Sequence, residues 1–168
     1  NRLNTIEYIT FSSTGNGTDF GDLNTTNASE KSRMAAANSG TRAVTTGSIS
    51  ADYNTMWYIT MTTSGTGLDF GDSTFLRENP AACSSPTRMV SAGGSDGSST
   101  NYNNIEYITI ATLGNAIDFG DLSAVRRLTG AVSSSTRYCS VGGYNDPAQL
   151  DIIEYVQIAT LGNMIDFG

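Results

Sequence analysis

Apolar and polar positions along this chain fall into short alternating runs, and the runs come back on a fixed schedule. The clearest is Ile105-Glu106-Tyr107-Ile108-Thr109-Ile110, rich in β-branched and aromatic residues, which predicts a strand. Alternation puts Ile105, Tyr107 and Thr109 on one face and Glu106, Ile108 and Ile110 on the other. Apolar residues on both faces predict packing on both sides. The turn Leu113-Gly114-Asn115 leads into a shorter strand around Asp118-Phe119-Gly120. The same wording stands at Ile6-Glu7-Tyr8 to Asp22, at Trp57-Tyr58-Ile59 to Asp72, and at Ile153-Glu154-Tyr155 to Gly168. From Phe20 to Phe70, Phe119 and Phe167 the period is 50, 49 and 48 residues. A period of that size predicts a repeat architecture rather than one irregular globule.

Two further strands precede that wording in each repeat. Ala36, Ala82 and Ala131 each stand six residues before an arginine, Arg42, Arg88 and Arg137. A strand of small residues fits there, followed by a Ser, Gly and Pro turn of the kind that joins hairpin strands. The second strand follows the arginine and ends on glycine, as in Met89 to Gly94 and Tyr138 to Gly143. The first copy has Thr46-Gly47-Ser48 instead of the double glycine. Four short strands per repeat is the arithmetic of a β-propeller blade. The expectation is therefore an all-β chain of about three and a half blades: a half blade at 1–23 and blades at 24–74, 75–123 and 124–168. Since both ends interrupt the repeat, a segment of a longer protein is expected.

The composition fits this picture and narrows the chemistry. The chain of 168 residues is 38% hydrophobic and 15% charged, with 18 glycines; turns dominate such a chain. A net charge of −7 with scattered basic residues argues against nucleic acid, whose phosphates call for clustered Lys and Arg. No apolar stretch is long enough for a membrane-crossing helix, and membrane insertion is not expected. Histidine is absent and there are two cysteines, so the common zinc and nucleophile constellations are missing. Cys83 and Cys139 occupy different places in the repeat, which favours two buried thiols over a disulfide. Neither a cofactor nor a metal is expected, and catalysis has no positive sign.

The repeated charges read as structural. Glu7, Glu106 and Glu154 sit in mid-strand, where a lone carboxylate is costly, so each predicts an ion pair with Arg42, Arg88 or Arg137. Asp22, Asp72 and Asp121, with Asp19, Asp69 and Asp118, read as turn caps or further partners of those arginines. Recognition chemistry belongs instead to the loops. Short polar groups beside an aromatic ring can hold sugar hydroxyls and stack on a sugar face, which singles out Tyr53, Trp57, Tyr102, Tyr144, Asn145 and Asp146. Asn16, Asn24 and Asn27 open N-glycosylation sequons.

The order Arg77, Ala82, Thr87-Arg88, Gly93-Gly94, Glu106-Tyr107 and Phe119 resembles a kelch repeat, with phenylalanine where kelch blades carry tryptophan. The wording IEYITIATLGNAIDFGDL also resembles repeats in structural or tail-fibre proteins of tailed phages, marine ones especially, and of large algal viruses. The resemblance implies a non-enzymatic structural or adhesion module of a virion or other extracellular appendage, whose loops meet a host-surface glycan or a protein. Two alternatives stay open: a filament subunit that assembles through blade edges without a ligand, and an accessory domain of a polysaccharide-degrading enzyme. Self-association, as a homo-oligomer or filament, is expected in either structural case, because an open stack exposes strand edges.

Overall fold

A computed structural model describes residues 4–23, 32–48 and 54–168, and within these the protein is all-β. The expected strands form. The N-terminal hairpin pairs β1 (Thr5–Tyr8) with β2 (Thr18–Asp22). The second sheet holds β3 (Ala35–Asn38), β4 (Arg42–Thr46), β5 (Thr55–Thr60) and β6 (Leu68–Asp72), in that order. The third holds β7 (Ala81–Ser84), β8 (Arg88–Ala92), β9 (Asn104–Thr109) and β10 (Ile117–Asp121). Next come β11 (Gly130–Ser133) and β12 (Arg137–Val141), and then a short hairpin of β13 (Tyr144–Asn145) and β14 (Ala148–Gln149). The fourth sheet is completed by β15 (Ile153–Gln157) and β16 (Ile165–Asp166), in the order β11, β12, β15, β16. Every pairing is antiparallel, as expected for neighbours joined by short loops.

The second sheet packs one face on the third, and the third packs its other face on the fourth. One core joins Ala37, Val44, Met56 and Phe70 of the second sheet to Met89, Ile108, Ile110 and Ala116, from the third sheet and its β9–β10 loop. Its sequel joins Cys83, Val90, Ile105 and Phe119 of the third sheet to Tyr138, Val156, Ile158 and Met164 of the fourth sheet and its β15–β16 loop. Ile105 and Tyr107 thus belong to one core while Ile108 and Ile110 belong to the other, which is why that strand is apolar on both sides. The first strands run closest together: Ser84 Oγ donates to Asn38 O at 2.6 Å, and Ser133 Oγ to Ser84 O at 3.0 Å.

A bulge recurs where the register slips at Phe20, Phe70 and Phe119. The next glycine takes a positive φ, 142° at Gly21, 135° at Gly71 and 147° at Gly120, a backbone that favours glycine. Asp19 and Asp69 cap the bulge by accepting from the amides of Gly21 and Gly71.

Candidate functional site

The residues repeated in the sequence converge on the junctions between sheets. In each four-stranded sheet an arginine, a tyrosine and a phenylalanine form one stack. Arg42 lies 4.7 Å from the ring centre of Tyr58, Arg88 4.5 Å from Tyr107, and Arg137 4.7 Å from Tyr155. The same tyrosines meet Phe70, Phe119 and Phe167 edge-on at 5.9, 6.0 and 5.7 Å, a favoured aromatic geometry. The guanidinium then reaches into the following sheet's loop. Arg42 Nη1 donates to Ile110 O and Ala111 O at 2.9 and 3.1 Å, and Arg88 Nη1 does so to Ile158 O and Ala159 O at the same distances.

That loop also seats on the bulge. The amides of Gly65, Gly114 and Gly162 each donate to the carbonyl of Phe20, Phe70 or Phe119 at 2.9 Å. Their own carbonyls press against the bulge glycine: a Cβ added at Gly21, Gly71 or Gly120 would lie 2.2, 2.4 or 2.3 Å from the oxygen of Gly65, Gly114 or Gly162. Asn115 and Asn163 complete the seat, their Oδ1 atoms accepting from the amides of Asp72 and Asp121 at 3.0 Å. The sequence wording is therefore a docking code, and each glycine is needed for closeness as well as for φ.

The expected ion pairs are corrected in their partners. Glu106 pairs with Arg77 at 3.4 Å and Glu154 with Arg126, all four side chains at most 2% exposed. Arg42, Arg88 and Arg137 take tyrosine rings, and the first two backbone carbonyls, so the carboxylates are met by a different arginine. Each carboxylate also caps the chain leaving the preceding sheet. Glu106 accepts from Thr74 N and Oγ1 at 2.8 and 2.7 Å, and Glu154 accepts from Ser123 N. Such neutralisation is what makes a buried carboxylate tolerable. Burial pushes the Arg77 guanidinium below its usual pKa, and the charge of Glu106 opposes that shift.

Glu7 is exposed and takes part in no ion pair among the described residues. Asp22, Asp72 and Asp121 contribute backbone rather than charge: their carbonyls accept from Gly67, Ala116 and Met164, and no ion pair among the described residues includes them. A third pair, Arg33 with Glu78 at 2.6 Å, links the second sheet to the third.

The loop candidates separate into three kinds. Trp57 is a half-buried residue within β5, opposite Thr45 and Asp69, and not a loop anchor. Tyr102 is half-buried with its ring 5.6 Å from Phe75, so that ring serves packing. Half-buried Tyr144 and Asn145 stay together with exposed Asp146 on the β13–β14 hairpin, which the sequence pattern did not announce. Tyr144 Oη donates to Asp146 Oδ1 at 3.0 Å, and Arg127 covers its ring at 5.5 Å. That hydrogen bond, with the charge of Asp146, pushes the tyrosine hydroxyl pKa up. Asn101 Nδ2 donates to Asn145 Oδ1 at 2.9 Å, joining this hairpin to the loop after β8. There Asp96 accepts from the amides of Ser98, Ser99 and Thr100, and the Ser98 and Thr100 bonds hold its carboxyl far below the usual range.

Asn101 and Arg127 were missed as contributors; neither repeats, so periodicity carried no signal for them. Tyr53, Asn24 and Asn27 lie outside the described residues. Asn16 is exposed in the β1–β2 loop. The cysteines are unpaired: Cys83 is buried, its thiol pushed up to about 12 mainly by desolvation, and Cys139 is half-buried. No group of three or more metal-binding side chains occurs among the described residues. Comparison with protein-family models and with curated proteins finds no match.

Proposed function

We propose that this chain is a non-enzymatic structural module of kelch-like propeller blades, with the second, third and fourth sheets as blades and the N-terminal hairpin as half of one. Its role is to display the Tyr144 hairpin and the adjoining Asn101 loop to a glycan or protein at a host surface. The observation that carries this is the joined surface itself: Tyr144, Asn145 and Asp146 are braced by Arg127 and Asn101. Bracing lowers the ordering cost of binding, and repeated modules in an assembly multiply weak contacts. The virion or appendage setting rests on the sequence resemblance alone.

A glycan array probed with the chain tests the display role. Binding that is lost in Tyr144→Ala is the expected result; no retention on any glycan, and none on host-surface protein, ends this reading. A second reading, a scaffold subunit that recognises no ligand, draws on the exposed apolar side chains Phe11, Val132 and Phe167.

A further inference from the structure

Where the third and fourth sheets meet, the β7–β8 and β11–β12 turns enclose a hollow of about 290 Å³. Ser85, Thr87 and Arg88 line it from one sheet, Ser135 and Thr136 from the other, and the Ile158–Ala159 backbone completes it. Both turns are held from within. Ser85 Oγ accepts from the amides of Thr87 and Arg88 at 3.3 and 3.1 Å, and Ser134 Oγ from those of Thr136 and Arg137 at 3.2 and 3.1 Å. Thr87, Ser135 and Thr136 are left exposed, and Ser135 Oγ bonds to no described residue.

Arg88 is the charge of this hollow. Its Nη1 donates to Ile158 O and Ala159 O, and its guanidinium lies 4.5 Å from the ring centre of Tyr107, so its position is fixed. Its Nε and Nη2 donate to no described residue. They are open to solvent as well: the unpartnered arginine nitrogens that are sealed from it belong to Arg77, Arg126 and Arg127. No ion pair among the described residues includes Arg88. An Nε–Nη2 edge presents two parallel donors, the fork that takes both oxygens of a carboxylate.

We propose that this hollow binds an acidic sugar. Arg88 Nε and Nη2 take the sugar carboxylate, and the hydroxyls of Thr87, Ser135 and Thr136 meet its ring hydroxyls. The turns and the guanidinium are already held in place, which lowers the ordering cost of binding. A net charge of −7 repels a densely charged polymer, so the ligand carries a single carboxylate among hydroxyls. The preceding junction repeats the arginine, with Arg42 on Tyr58, Ile110 O and Ala111 O. There Pro86 stands in the place of Ser135, one hydroxyl is lost, and binding is weaker. The site shares no residue with the Tyr144 hairpin and goes beyond the display role assigned to it.

The test titrates the full chain with D-galacturonate and, at equal ionic strength, with neutral D-galactose, followed by nitrogen–proton NMR correlation spectra. Galacturonate is expected to shift the Arg88 Nε–H signal and the amides of Thr87, Ser135 and Thr136, and galactose to shift them far less. Two variants at the exposed Ser135 then move the charge of the hollow without removing a protein hydrogen bond. Ser135→Glu should bind galacturonate roughly threefold to fivefold more weakly and Ser135→Lys more tightly by a similar factor, as for a charge added at an exposed site. Any of three results overturns the site: no response to galacturonate at Arg88 and these turns, an equal response to galactose, or the same affinity in both variants. The Tyr144 reading is unaffected by these results, because its glycan-array test reads a different hairpin.

Discussion

The third and fourth sheets are written in nearly the same words and live in different surroundings. Ile105-Glu106-Tyr107 to Asp118-Phe119-Gly120 is matched by Ile153-Glu154-Tyr155 to Asp166-Phe167-Gly168, and the Arg–Tyr–Phe stack is the same in both. Yet Phe119 is 2% exposed and Phe167 57%. What separates them is the next loop: Ile158 and Gly162 cover the third sheet, and no described residue covers the fourth in that way. Burial of a repeated residue is thus a property of the junction and not of the strand that carries it.

The comparison is sharpest at the phenylalanines. Phe119→Ala should destabilise by about 3–5 kcal/mol, as for a buried aromatic truncated in a core. Phe167→Ala should cost about 1 kcal/mol or less in the monomer, because only its edge contact with Tyr155 is lost. Chemical denaturation of the two variants at low protein concentration measures the difference, and equal losses would erase the distinction between the sheets.

The carboxylates give a second contrast. Glu106→Ala leaves Arg77 buried without its counter-charge and should cost roughly 3–5 kcal/mol. Glu7→Ala, at the same place in the exposed hairpin, should change stability by under about 0.5 kcal/mol. The same pair of melts reports both.

Glycine supplies a third. Gly120→Ala places a Cβ at 2.3 Å from the Gly162 carbonyl on a backbone of φ 147°, and the strain should cost about 2–3 kcal/mol. Stability within 0.5 kcal/mol of wild type would mean that the loop gives way freely.

The smallest effect concerns reactivity rather than stability. Cys83 is buried and its pKa is raised to about 12, so at pH 8 it stays a thiol, and only a thiolate attacks a disulfide reagent. A disulfide reagent should label half-buried Cys139 first and Cys83 only on unfolding. Equal labelling rates in the native protein would argue that the third sheet's face is not closed.

Much of the strand plan was legible because period-2 alternation and turn residues act within a few positions of each other. Ile105 and Tyr107 against Ile108 and Ile110 is a face assignment that a single strand suffices to make. Pairing was not legible in the same way. Arg42 finds its acceptor at Ile110, 68 residues away in the next copy. In a repeat chain, a contact within one copy and a contact between copies leave the same mark, since both partners recur with the same period. Arg88 and Glu106 recur together without touching; each is held by a different neighbour. The Trp57 exception shows what a break in the pattern says. Trp57 stands before Tyr58 where Glu106 and Glu154 stand before Tyr107 and Tyr155; those glutamates cap residues 74 and 123 after the preceding sheet, and the matching position is 24, within a stretch from Leu23 to Glu30 that the later copies lack. The carboxylate is absent at the junction where the sequence carries that extra stretch. The Tyr144 hairpin was invisible to periodicity because it occurs once.

The central claim is that the repeated glycine loop is held by the preceding sheet and not by its own hairpin. Residue-resolved hydrogen exchange of four equivalent amides, in dilute monomer, tests it directly. Gly65, Gly114 and Gly162, each bonded to a phenylalanine carbonyl of the preceding sheet, should exchange slowly, and Gly15 fast. Four amides exchanging at the same rate would contradict the account.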